Sequence, residues 1–139
     1  MNTGSISPHS ALVYLLVVIA AVDRDLSDIE LERMGMMARS LPVFDGYNLS
    51  HMPAAAQECA ALLQEEGGLD TVLDLAQGAL PHSALETAYA LCCDMAVADG
   101  QLSQEELRML EILRHRFSIE RLVAAAIERG TAVRHRKLD

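Results

Sequence analysis

Val97-Ala98-Asp99-Gly100-Gln101-Leu102-Ser103-Gln104-Glu105-Glu106-Leu107-Arg108 reads as the end of one helix, a tight acidic turn and the capped start of the next. Ser103 with Glu106 three residues on has the form of a capping box, in which each side chain accepts a hydrogen bond from the other residue's backbone N–H. The pattern recurs 76 positions earlier, where Asp23, Leu26, Ser27, Glu30 and Leu31 stand in place of Asp99, Leu102, Ser103, Glu106 and Leu107. A nearly all-apolar helix precedes each copy. Two related helical hairpins follow, helices 1 and 2 against helices 5 and 6, each burying its apolar first helix against the other around an approximate twofold axis.

Outward from that repeat, the 139 residues are the length of one domain, 1–139, which can bury a sizeable core without disulfides or metal. Three Tyr, two Phe and no Trp, against abundant Ala, Leu and Met, favour helix over sheet. The fold class is therefore all-α, with about seven helices. Residues 1–6 form an N-terminal arm, and Ser7 with Pro8 opens helix 1, which runs to about Val22. Tyr14 to Ile19 leave this helix no polar face, so it belongs at the centre of the fold. Ser27 caps helix 2 and Pro42 ends it. Residues 42–52 are the longest irregular segment, and helix 3 runs from near Pro53 to Gly67 and Gly68. Helix 4 covers about Asp70 to Gly78, helix 5 about His82 to Ala98, and Ser103 caps helix 6. Ser118 is expected to cap helix 7, Ile119 to about Arg129, before Gly130 releases a basic tail over 131–139. That tail is either a contact for an anionic partner or a solvated end.

A net charge of −9 argues against nucleic acid, which needs a concentrated basic face, and leaves cations and basic protein surfaces as partners. The apolar run Ala11 to Val22 is too short for a bilayer, which takes about 20 residues, and no Lys or Arg precedes it as a signal peptide requires. A cytoplasmic protein with no direct membrane insertion is expected. Cys59, Cys92 and Cys93 have no disulfide or zinc spacing and read as reduced, buried thiols, a thiophilic-metal role being the alternative. His9, His51, His82, His115 and His135 are scattered, and no metalloprotease, phosphate-loop or serine-elbow motif occurs. An enzyme is not expected.

Asp23 and Asp99 each follow a helix end, where a carboxylate faces the negative pole of the macrodipole at a cost of about 0.3–1 kcal/mol. Compensation comes from the amides of the next helix, from an Asx-type turn, or from a bound cation. An EF-hand is excluded by counting: from Asp23 the sixth and twelfth positions hold Asp28 and Met34, and from Asp99 they hold Gln104 and Leu110, where glycine and glutamate are required. Asp94, alone in an apolar helix, needs a partner, either an arginine or helix N-terminus from elsewhere or a cation. The candidate metal ligands are Asp23, Asp94, Asp99, Glu30 and Glu106, of which the two glutamates are already accounted for as capping-box partners.

The repeated turn resembles that of the TerB-like family of tellurite-resistance proteins. The resemblance rests on Asp99, Gly100, Leu102, Ser103 and Glu106, on their first-half counterparts, and on Leu41-Pro42-Val43-Phe44, Gln57-Glu58-Cys59 and Leu122-Val123-Ala124-Ala125-Ala126. It implies an all-helical cytoplasmic domain of about seven helices, linked to stress from tellurium oxyanions. It also implies a divalent metal at acidic residues, carried over to Asp99 and Glu106 and to Asp23 and Glu30, or association with membrane-linked protein complexes. Arg24 stands where the family has glycine, placing a cation among the first-half carboxylates. Three readings stand at this stage: a metal-linked, non-enzymatic stress module; a metal-free helical interaction or scaffold domain, with an apolar patch or homodimer surface near residues 42–52; and a metalloenzyme.

Overall fold

The computed structural model describes residues 5–22, 26–97 and 102–138. Those residues form seven α-helices, joined in places by 3-10 turns, with no strand among them: α1 (Pro8–Ala20), α2 (Asp28–Ser40), α3 (Met52–Leu63), α4 (Gly68–Ala79), α5 (Leu85–Ala96), α6 (Gln104–Arg116) and α7 (Arg121–Arg134). The all-α single domain read from the sequence is the fold observed.

α1 is the hub. Ser7 caps it, accepting from the Ser10 N–H at 3.0 Å with Pro8 in the first turn, and every residue from Ala11 to Ala20 is buried. A helix buried all round must be surrounded, and α1 packs on α3, α4 and α5, with lesser contacts to α2 and α6. α5 carries the second layer, holding α6 and α7. Full burial of each Leu, Ile or Val of α1 contributes roughly 1.5–3 kcal/mol.

Residues 42–52 are more ordered than the sequence suggests. Two 3-10 turns, Pro42–Phe44 and Leu49–His51, order the segment: the second packs on α2 and α3, and the Phe44 and Tyr47 rings lie 6.0 and 5.2 Å from the His9 imidazole of α1. His9 Nε2 is 3.2 Å from the Val43 carbonyl oxygen. Phe44 is buried, so its ring serves as a clasp rather than part of an exposed apolar patch.

Two glycines turn the corner between α3 and α4. Gly67 takes a left-handed conformation at φ 71°, and a Cβ on Gly68 would sit 1.9 Å from the Leu62 carbonyl oxygen. α3 ends earlier than the glycines suggest, at Leu63 with Gln64 as its C-cap, and the pair instead starts α4, which begins at Gly68 rather than near Asp70.

The end of the chain departs from expectation. Ser118 does not cap α7: it sits at φ 54°, where its N–H donates to His115 O and that of Ile119 to Arg114 O, both at 3.1 Å. These two bonds form the Schellman closure of α6, normally built on glycine. Glu120 then occupies the N-cap of α7, with no side-chain cap. Gly130 does not release a tail, because α7 continues to Arg134. Thr131 is buried at 3% exposure, and the His135 imidazole Nδ1 lies 2.9 Å from the Thr131 carbonyl oxygen at the helix end. Burying that turn outweighs the roughly 1 kcal/mol that glycine costs a helix interior.

Opposite changes in stability are expected at the two corners. Gly68→Ala should lower unfolding free energy by about 2 kcal/mol or more, since backbone must move to admit the methyl. Ser118→Gly should raise it by about 1 kcal/mol by relieving the left-handed penalty. Urea unfolding of each variant measures both.

Candidate functional site

The two acidic turns are bounded by matching helix ends. α1 ends at Ala20 and α2 begins at Asp28; α5 ends at Ala96 and α6 begins at Gln104, so the two helix ends and the two helix starts are separated by the same 76 residues. Each second helix opens with a complete capping box. Ser27 N–H donates to Glu30 Oε1 at 2.9 Å and Glu30 N–H to Ser27 Oγ at 3.1 Å; Ser103 N–H donates to Glu106 Oε1 at 2.9 Å and Glu106 N–H to Ser103 Oγ at 3.0 Å. The family model for tellurite resistance protein TerB matches residues 9–129, reaching from α1 into α7. The chain belongs to the TerB family. No curated protein and no solved structure matches it.

Of the residues singled out as metal ligands in this TerB domain, Asp23 and Asp99 lie outside the described residues. Glu30 and Glu106 stand at the third positions of α2 and α6, each with Oε1 accepting the N-cap N–H. Asp94 on α5 takes the arginine partner that its apolar setting called for: its Oδ1 accepts from Arg134 Nη2 of α7. With Asp94 about a quarter exposed and Arg134 about half, the pair contributes roughly 0.2–1 kcal/mol, enough to hold the last turn of α7 on α5. Among the described residues, no three His, Cys, Asp or Glu side chains converge as a metal site.

The thiols are packing groups. Cys59 Sγ of α3 donates to the Tyr14 carbonyl at 3.5 Å, and Cys92 Sγ of α5 to that of Leu15 at 3.8 Å, gripping α1 from two sides. Burial pushes the Cys59 and Cys93 thiols up to about 12, and raises Cys92 as well. All three are buried, and a raised thiol pKa lowers the thiolate fraction on which nucleophilic reactivity depends.

Two clefts flank α5. One, of about 800 Å³, runs between α5, α6 and α7; Tyr89, Cys93, Leu107 and Glu128 are among its lining residues. Tyr89 Oη donates to Glu128 Oε2 at 2.6 Å across it, and burial, reinforced by that carboxylate, raises the phenol's pKa. The other, of about 650 Å³, lies where the C-terminal half of α2 meets the ends of α5 and α7, lined by Arg33, Met36, Arg39, Met95 and Arg134 among others. Sequence reading missed it. The run Arg33, Met36, Met37, Arg39 carried a signal, arginines interleaved with methionines on one helix, but Arg134 joins it only because α7 runs past Gly130.

The thiol pKa directions fix a pH dependence. A raised folded value means stability is full below the unfolded thiol pKa, near 9, and is lost as pH rises through about 12. Unfolding free energy should therefore fall with pH above about 9. A disulfide-exchange reagent at pH 8 should label the three thiols only at the unfolding rate, and stoichiometric labelling within seconds would contradict the packing described.

Proposed function

We propose that the chain serves tellurite resistance, and resistance to related chemical stress, as a non-enzymatic cytoplasmic module that takes up a divalent cation at its two acidic interhelical turns. Asp99 with Glu106, and Asp23 with Glu30, are the residues assigned to it. The supporting observation is the duplicated framework: two inter-helix connections of equal length, each leaving a helix C-terminus and entering a full capping box. Asp23 and Asp99 both fall, in sequence, three residues after the last residue of an apolar helix, whose C-terminus is the negative pole of its dipole. A bound cation would supply the positive charge that this placement lacks. Asp94, held by Arg134, stands outside the assigned set and serves to seat α7.

Arg24 distinguishes the halves. Its guanidinium stands beside Asp23 in sequence where Gly100 stands beside Asp99, so the second turn is assigned the tighter cation site. Protein partners, membrane-linked complexes among them, belong to the same reading as the means by which a module without catalytic groups acts. A metal-free interaction module is the second reading, favoured by the arginine- and methionine-lined groove.

Thermal unfolding of metal-stripped protein with calcium, magnesium, manganese and zinc tests the cation assignment. At about a hundredfold over Kd, binding adds roughly 2.7 kcal/mol, a rise of about 5–10 °C for a domain of this size. Asp99→Asn should abolish most of that rise, Asp23→Asn less, and Asp94→Asn none of it. No rise with any of the four ions overturns the cation assignment and leaves family membership standing.

A further inference from the structure

We propose that the groove between α2 and the ends of α5 and α7 is a docking site for an acidic, amphipathic helical segment of a partner protein. The inference is independent of the cation assignment, since it uses none of the residues of the acidic turns.

Charge is the first observation. Acidic residues outnumber Lys and Arg by 20 to 11 in the chain, yet this groove gathers Arg33 and Arg39 from α2 and Arg134 from α7 around one carboxylate, Asp94, among its described lining. That carboxylate is already engaged by Arg134. Arg33 and Arg39 have no carboxylate partner among the described residues. Arg136 and Lys137, both exposed, follow directly after the groove residue His135. Within a Debye length of about 8 Å, a short ligand responds to this local positive charge rather than to the net charge of the whole chain.

The second observation is apolar. Met36 is 58% exposed, an unusual loss of burial for a thioether, and it lies above the half-buried Met37 and Leu41 and the buried Met95 of the same groove. Methionine side chains are flexible and polarisable, suited to a surface that must adapt to an incoming side chain. Arg33, Met36 and Arg39 follow one another at three-residue intervals on α2. An acidic helix with an apolar residue between carboxylates at three- and four-residue spacing presents the complementary pattern. Its carboxylates would face guanidinium groups able to bind them through paired N–H donors, and its apolar residue would rest on Met36.

The same observations disfavour the other occupants. A single-stranded nucleic acid needs aromatic rings on which to stack, and the described lining contains no Phe, Tyr or Trp. An anionic bilayer is flat and would meet a chain of net charge −9 rather than the groove alone. A second copy would dock over a contact wider than a Debye length, so the repulsion of two chains of net charge −9 enters as well as the groove's local charge.

The test is fluorescence anisotropy with a labelled peptide of about 18 residues, long enough for several helical turns, patterned with Glu on one face and Leu and Met on the other. Saturable binding is expected, weakened about tenfold or more by Arg33→Glu combined with Arg39→Glu, and weakened by added salt. Met36→Asp should weaken it comparably. Arg39 is exposed and Arg33 half-buried, and neither is in an ion pair among the described residues, so the charge-reversed protein should melt close to the parent; if it does not, Arg33→Gln with Arg39→Gln replaces it. No saturable binding, or binding indifferent to these substitutions, overturns the proposal. So does equal or tighter binding to a charge-swapped lysine peptide, an oligodeoxynucleotide or phosphatidylserine vesicles. A concentration-dependent dimer dissociated by the same substitutions would overturn it in favour of a second copy.

Discussion

The fold depends on burying α1 on every side. Ten consecutive residues, Ala11 to Ala20, leave no polar stripe to face water, so the chain must supply neighbours all round a helix only 13 residues long. α3, α4 and α5 do so, and the buried residues of these helices include several small groups, Ala55, Ala56 and Cys59 on α3, Ala76 on α4, Ala88 and Cys92 on α5, beside larger ones such as Val72 and Leu73. Small side chains bring helix axes close, and close axes let two thiols reach the carbonyls of Tyr14 and Leu15. In a core with so few aromatic rings, density comes from this close approach.

That demand on α1 reaches the turns. A helix whose flanks are fully occupied must leave the core sharply and re-enter with its orphan N–H groups satisfied, and a capping box does this within four residues. The same solution at Ser27 and Ser103 keeps the two acidic connections equal in length. In sequence, Asp23 and Asp99 each stand three residues after the last residue of an apolar helix, α1 and α5.

How much of this was legible in the sequence varied with the range of the cause. Ser7, Ser27 and Ser103 announced their helices because a cap is a local contract between a hydroxyl and amides two or three residues on. The central position of α1 was legible because its apolar run admits no other placement. Ser118 and Gly130 misled for one shared reason: each contradicts local propensity under a tertiary demand. A serine in the left-handed region is affordable where Phe117 and Ile119 on either side are buried, and a glycine inside α7 is tolerated where Thr131 beyond it is buried. The partner of Asp94 was legible in kind, an arginine, and its identity was not, because Arg134 is 40 residues away.

The candidate interaction site follows from that last point. Had α7 ended at Arg129, the basic residues after it would be a solvated tail, with no fixed geometry and large entropy to lose on binding. Extension of α7 by one further turn, secured by Thr131 and by the pairing of Asp94 with Arg134, places a guanidinium at a fixed point opposite α2. Asp94 therefore neutralises little of the groove's function while fixing its architecture: it positions one arginine and leaves Arg33 and Arg39 to meet an incoming charge. A chain strongly acidic over most of its length thus carries one pre-formed basic, thioether-rubbed concavity, and pre-formation lowers the ordering cost that a flexible basic tail would incur on binding.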